Sequence, residues 1–177
     1  MYKEPKHIVS SYTPNNIGKT IYDTVRKLKP KKVIEFGALY GYSAICIGQA
    51  LRDNGFGELI TYDIFEKYKY KHSDRNILLN NLNFYKLTDI VNVEFGDFYN
   101  FIKGGFEFDM AHIDISNTGE IIENVINAYP NKTILFEGGS KERDNIEWMV
   151  KYKLKPISPI QKEILNSNFP SISLIKK

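Results

Sequence analysis

The sequence has one cysteine, Cys46, in 177 residues, so no disulfide can form within the chain, and a reducing, cytoplasmic setting is expected. With histidine limited to His7, His72 and His112, a zinc cluster of the Cys/His kind is also excluded. No apolar run approaches the roughly 20 residues that span a bilayer, so no membrane partner is expected. The opening stretch MYKEPKHIVSSYTPNN lacks an apolar core and is not read as a secretory signal. Neither sign of charge dominates. The 24 basic and 21 acidic side chains leave a net charge of +3, too mild to argue for nucleic acid or an anionic surface. Internal repeats and low-complexity tracts are missing as well.

What is present is ordinary globular material, 42% hydrophobic and 25% charged, with aromatics at 14%. The length suits one compact domain, residues 1–177, with 1–14 read as a lid over substrate or cofactor. Ile17, Ile21, Val25 and Leu28 mark one face of a helix over 15–28, between Pro14 and Pro30. Further helices are expected over 41–51, 73–85, 120–128 and 142–152. Strands are expected over 33–36, 59–62, 91–95, 108–113, 133–136, 157–160 and 172–175. Alternating strands and helices imply a mostly parallel sheet with right-handed crossovers.

Successive strands end in an acid or a glycine: Glu35-Phe36-Gly37, Asp63, Gly96-Asp97, Asp114 and Glu137-Gly138-Gly139. Open α/β sheets bind ligands beyond the carboxyl ends of their strands, and packing explains carboxylates gathered there poorly. The strongest signal is Glu35-Phe36-Gly37-Ala38-Leu39-Tyr40-Gly41-Tyr42-Ser43, set between a strand and a helix. Gly37 allows an unusual backbone angle at the turn, and Gly41 allows a ligand to approach the helix start closely. Ser43 can cap the helix or hold a carboxylate. Leu39 stands where a dinucleotide loop needs its second glycine, which disfavours NAD. Gly18-Lys19-Thr20 lacks the first glycine and preceding strand of a phosphate loop.

The E-x-G-x-x-x-G loop, followed by an acid after the second strand, resembles the class I S-adenosylmethionine (SAM) methyltransferases, most closely the catechol O-methyltransferase-like small-molecule enzymes. The resemblance runs from about Ile17 to Glu137. It implies a Rossmann-like, doubly wound α/β sheet of about seven mostly parallel strands with a reversed C-terminal strand. It also implies SAM as cofactor and a small-molecule methyl acceptor. The implied cofactor-binding set is Glu35, Gly37, Ala38, Tyr40, Gly41, Tyr42, Ser43, Asp63, Ile64, Gly96, Asp97, Phe98 and Asp114. Glu35 would serve the amino-acid end or organise the loop, and Ser43 with the helix start would hold the carboxylate. Asp63 would accept both ribose hydroxyls and support little else. Asp97 would accept from the adenine amine and Phe98 would cover the ring. Asp114 would lie near the methionine part or a metal.

The chain departs from the family in two places. The metal-dependent members carry an Asp-Asn pair after strand five, where this chain has Glu137 and Gly138. A divalent metal is thus open but not favoured, since such an ion wants several hard oxygens. The family's catalytic lysine is replaced by Asn117, leaving Asp114, Lys141 and His112 as candidate catalytic residues. Methyl transfer to an acidic hydroxyl needs limited base help when the reacting atoms are held in line. A non-catalytic SAM-binding module and another nucleotide-using α/β enzyme are the alternatives. The run from Lys67 to His72 interleaves basic and aromatic residues and is read as a solvated helix start, so nucleic acid is not expected. Substrate contacts are expected from 2–13, from 140–148, or from a partner subunit in a homo-oligomer.

Overall fold

Lys32–Phe36 (β1) is buried from Val33 onward, as a central parallel strand flanked by helices must be. The computed structural model describes residues 1–67, 73–115, 118–137, 162–169 and 172–176. Six further strands join β1: β2 (Glu58–Asp63), β3 (Val91–Phe95), β4 (Met110–Ile113), β5 (Thr133–Glu137), β6 (Glu163–Ile164) and β7 (Ile172–Ile175). They form one seven-stranded sheet in the order β3-β2-β1-β4-β5-β7-β6. The strands from β1 to β5 pair in parallel, and β7 runs antiparallel to both β5 and β6. The reversed C-terminal strand is therefore as expected. The order reverses at β1, where the chain crosses from β3 to β4, which makes the carboxyl end of β1 the switch point at which such sheets bind ligands.

Helices α1 (Ile17–Leu28), α2 (Tyr42–Asn54), α3 (Arg75–Phe84), α4 (Phe98–Phe101) and α5 (Gly119–Ala128) complete the described fold. Val33, Leu59, Met110 and Leu135 join one apolar cluster with residues of α1, α2 and α3. Ile34, Phe36, Ala111, Ile113, Ile134 and Phe136 join a second with α4 and α5. The sheet thus has a packed layer on each side, set by the two phases of the strand alternation.

Several boundaries differ from expectation. Asn16 is left-handed (φ 51), so α1 begins at Ile17 and residues Thr13–Asn15 form a 3-10 turn. α4, a single aromatic turn, had no periodic signature. The expected helix over 142–152 and strand over 157–160 lie outside the described residues, while β6 is a two-residue strand too short to show a pattern. α3 starts two residues late because Asp74 caps it, accepting from Asn76 N at 2.8 Å and Ile77 N at 3.1 Å. Asp74→Ala is expected to cost about 1 kcal/mol in a urea titration, a typical value for a lost cap. An unchanged midpoint would mean that water replaces it.

The N-terminal segment is docked on α2. Lys3 N donates to Gln49 Oε1 at 2.8 Å and Gln49 Nε2 returns a bond to Lys3 O at 2.9 Å. Tyr2 and Tyr42 both donate to the Glu4 carboxylate. Ile8 and Tyr12 are buried in the cluster beneath α1 and α2.

Candidate active site

The turn after β1 is built from left-handed residues: Gly37 (φ 97), Leu39 (φ 47) and Gly41 (φ 90). The space beside both glycines is already filled by the protein. A Cβ on Gly37 would lie 2.1 Å from the Asp114 carbonyl oxygen, and one on Gly41 would lie 2.3 Å from Leu78 Cδ1. Both positions thus disfavour a side chain for reasons internal to the fold, Gly37 by its angle and the Asp114 backbone, Gly41 by its angle and the Leu78 side chain. Gly41 N donates to Ala38 O at 2.8 Å, closing the turn into α2. The N-cap of α2 is Gly41, so no side chain caps that end, and buried Ser43 sits in the first turn. Tyr42 points away from the turn: its hydroxyl accepts from Gly18 N at 3.0 Å and donates to Glu4, and burial raises its pKa. Tyr40 is held through its carbonyl by Asn81 Nδ2 at 2.8 Å, and Ala38 is buried.

Asp63, the last residue of β2, is more engaged than expected. Its Oδ2 accepts from Leu39 N at 3.1 Å, and its Oδ1 accepts from Phe65 N at 2.8 Å and Ser73 Oγ at 3.1 Å. Both backbone donors belong to left-handed residues, since Phe65 has φ 46. Asp63 therefore pins two strained positions as well as offering acceptor capacity, so the idea that it supports little else does not hold. A carboxylate has about four acceptor positions, and Oδ2 uses one here. Ile64 follows, half-buried, with its carbonyl accepting from Lys67 N at 3.0 Å.

At the end of β3, Gly96 lies against the Tyr62 ring, which stacks on Phe36 with centroids 4.9 Å apart. Exposed Asp97 caps α4 by accepting from Tyr99 N at 2.8 Å. Phe98 turns inward, edge-on to Phe36 at 5.8 Å, so its ring is part of the core. The open aromatic ring beside Asp97 is that of Tyr99, 62% exposed, which sequence reasoning did not single out.

Strand register builds a polar row across the sheet centre. Glu35 pairs with Thr61 on one side and His112 on the other. Thr61 Oγ1 donates to Glu35 Oε2 at 2.6 Å, and His112 Nδ1 lies 2.8 Å from Glu35 Oε1. The His112 and Glu35 side chains are both 0% exposed. Tyr12 reaches in from the N-terminal segment, its hydroxyl 3.4 Å from His112 Nε2. Both ring nitrogens thus face protein groups. One residue beyond the paired Ile113 and Phe136, Asp114 and Glu137 follow side by side. Loss of hydration, then the charge of Glu137, holds the Asp114 carboxyl well above the usual carboxylate range. Burial, then Asp114 and Glu137, likewise raises the Tyr12 phenol. Thr61 could have been found as the polar residue that breaks β2 opposite Glu35, whereas nothing in the sequence connects Tyr12 to this row.

Lys141 and Asn117 lie outside the described residues, as do residues 68–72 of the basic-aromatic run and Gly138-Gly139. Among the described residues, no group of three or more His, Cys, Asp or Glu side chains could hold a metal ion. Asp114 and Glu137 alone offer fewer oxygens than a divalent ion takes. Cys46 is buried, and burial raises its thiol, so it lacks the thiolate character of a nucleophile. Two surface hollows of about 220 and 430 Å³ lie elsewhere, one between α1 and β6–β7, the other at the amino ends of β1, β4 and β5. No described helix is long and apolar enough to cross a membrane.

Residues 34–135 match the family model described as a methyltransferase domain. Comparison with curated proteins finds no match. Among solved structures, the SAH-bound methyltransferase PaMTH1 of Podospora anserina is similar at 18% identity and a TM-score of 0.62, over 95% of this chain and 79% of its own. The O-methyltransferase of Bacillus cereus, solved with SAH, shares 21% identity and a TM-score of 0.59, over 97% of this chain and 82% of its own. TomG, an O-methyltransferase of Streptomyces achromogenes involved in tomaymycin synthesis and solved with SAM, shares 20% identity and a TM-score of 0.52 over 75% of this chain. The chain spans 57% of the length of TomG. At these identities the likeness is one of fold.

Proposed function

We propose a function from one premise: the chain belongs to the methyltransferase domain family. It binds SAM at the carboxyl ends of β1 to β5 and transfers the methyl group to an oxygen of a small-molecule acceptor. The observation that carries this reading is the glycine turn after β1, with Asp63 bonded to Leu39 beside it and the start of α2 uncapped. Those residues fit the cofactor chemically. First-turn N–H groups of α2 and Ser43 suit its carboxylate. The spare acceptor capacity of Asp63 suits the ribose hydroxyls, and Asp97 suits the adenine amine. Asp114, beside Gly37, suits the methionine ammonium. Similar structures solved with SAM or SAH support SAM as the cofactor.

When bound, SAM supplies an electrophilic methyl group on a sulfonium, and an attacking hydroxyl must shed its proton. The chain's part is to align the acceptor oxygen and take or pass that proton. Asp114 is the described residue placed for proton handling, with Lys141 as a second candidate. His112 is a positioning residue that holds Glu35 under the turn. The N-terminal segment supplies acceptor contacts near Tyr12, and a second copy of the chain can complete that pocket. A reducing compartment such as the cytoplasm suits the single buried cysteine.

Titration calorimetry with SAM and S-adenosylhomocysteine tests the reading, and no heat from either at millimolar concentration rejects it. One observation favours a second reading, a cofactor-binding module without turnover: both nitrogens of His112 are engaged. Methyl transfer to any of a panel of phenols and sugars would discard that alternative.

Asp63→Ala is expected to weaken SAM binding on the order of 10²-fold, since two charge-assisted hydrogen bonds of about 1.5–3 kcal/mol each are lost. It should also lower stability, because Leu39, Phe65 and Ser73 lose their acceptor. Asp63→Asn should be milder on both counts. Wild-type affinity in the alanine variant would place the ribose elsewhere.

A further inference from the structure

Asp63 already serves three donors. Its Oδ1 accepts from Phe65 N at 2.8 Å and from Ser73 Oγ at 3.1 Å, and its Oδ2 accepts from Leu39 N at 3.1 Å. A carboxylate has about four acceptor positions, two on each oxygen, so Oδ1 is full and Oδ2 has one position left. Two neighbouring ribose hydroxyls need two. The backbone donors do not yield cheaply, because Leu39 and Phe65 are both left-handed and the Phe65 side chain is locked in the core. Ser73 offers the missing acceptor. Its hydroxyl spends its one proton on Asp63 and keeps two lone pairs, to which no described group donates. The start of α3 fixes Ser73 in place, since Asp74 caps the helix and Arg75 Nη2 donates to Val93 O at 3.1 Å.

We propose that two residues read the sugar: Asp63 Oδ2 accepts one ribose hydroxyl, and Ser73 Oγ accepts the other while its own proton stays on Asp63 Oδ1. The proposal rests on the reading above, which sets the ribose at Asp63. No existing hydrogen bond has to break when the ligand enters. The second hydroxyl, Ser73 and the carboxylate form a chain of donors, each polarising the next. The loss expected for Asp63→Ala then comprises one direct bond and one held through Ser73. Ser73, which the sequence offered only as the start of a helix, thereby becomes a specificity-determining residue for a sugar that carries both hydroxyls.

Titration calorimetry with S-adenosylhomocysteine and with its two analogues that each lack one ribose hydroxyl tests this. In the wild type, each missing hydroxyl should weaken Kd by about tenfold. Ser73→Ala should bind S-adenosylhomocysteine several-fold more weakly, and one of the two analogues should then bind within about twofold of it. The other analogue should keep its penalty, because Asp63 Oδ2 is untouched. Ser73→Thr retains the hydroxyl and should retain both penalties. Ser73→Cys, whose sulfur accepts only weakly, is the second variant if Ser73→Ala does not fold, and it should behave as the alanine does. Were Ser73 a placeholder that turns aside, the hydroxyl would take the vacated Oδ1 position in Ser73→Ala, and both penalties would persist. Were Ser73 only a support for Asp63, both would fall together. Either outcome, or a wild type indifferent to both analogues, overturns the proposal while the SAM reading stands. Absence of any binding overturns both.

Discussion

Gly37→Val is expected to yield little folded protein, and its loss of cofactor binding should follow from that. The Cβ would fall 2.1 Å from the Asp114 carbonyl oxygen and 2.9 Å from its carbon. Both are backbone atoms held by the sheet, where Asp114 N donates to Phe36 O at 3.0 Å, so neither strand can yield cheaply. At φ 97, a β-branched residue is also strained by its own backbone. Backbone strain of about 1–3 kcal/mol adds to overpacking of about 1–3 kcal/mol. The sum, on the order of 2–6 kcal/mol, compares with the roughly 5–15 kcal/mol that separates folded from unfolded states in a typical domain. Soluble yield and a far-ultraviolet thermal melt check it. A cooperative melt within a few degrees of wild type, with binding alone abolished, would show that the space beside Gly37 belongs to the ligand after all.

The alternation within strands made much of this site legible. Val33-Ile34-Glu35-Phe36 sets Glu35 in the same phase as Val33, and Met110, His112 and Asp114 repeat that phase in β4, so the polar row could be read once the strands were aligned. The chain order of strands and helices likewise gave the doubly wound sheet, because parallel strands require crossovers. The partners of these residues were not legible. Which strand lies beside which is a tertiary fact, so neither the Glu35–His112 contact nor the pairing of Asp114 with Glu137 could be read from their spacing. Tyr12 lies 100 positions from His112, on a segment without periodicity. The rotamer of Phe98 was equally hidden. An aromatic after Asp97 can cover a ligand or enter the core, and here the Phe36, Phe101 and Phe106 rings form the apolar cluster that draws it inward.

His112→Leu should destabilise the chain by about 1–3 kcal/mol, the usual cost of leaving a buried acceptor without its donor. In the wild type, Glu35 is fully buried and its two oxygens divide between Thr61 Oγ1 at 2.6 Å and His112 Nδ1 at 2.8 Å. Leucine fills the volume but offers no donor, so Glu35 Oε1 loses its hydrogen bond in a place without water. Tyr12 also loses its neighbour at Nε2. For a chain of this size, each kcal/mol corresponds to about 2–4 °C in Tm, so a fall of roughly 2–12 °C is expected in calorimetry. Two further variants separate this account from simple repacking. His112→Gln can still donate to Glu35 from its amide and should recover part of the loss. Glu35→Leu combined with His112→Leu removes both partners, and should be more stable than the sum of the single changes, because no unpaired polar group remains. A Tm for His112→Leu within about 2 °C of wild type would mean that Glu35 is buried without needing the imidazole, and the polar row would lose its role in holding the turn above it.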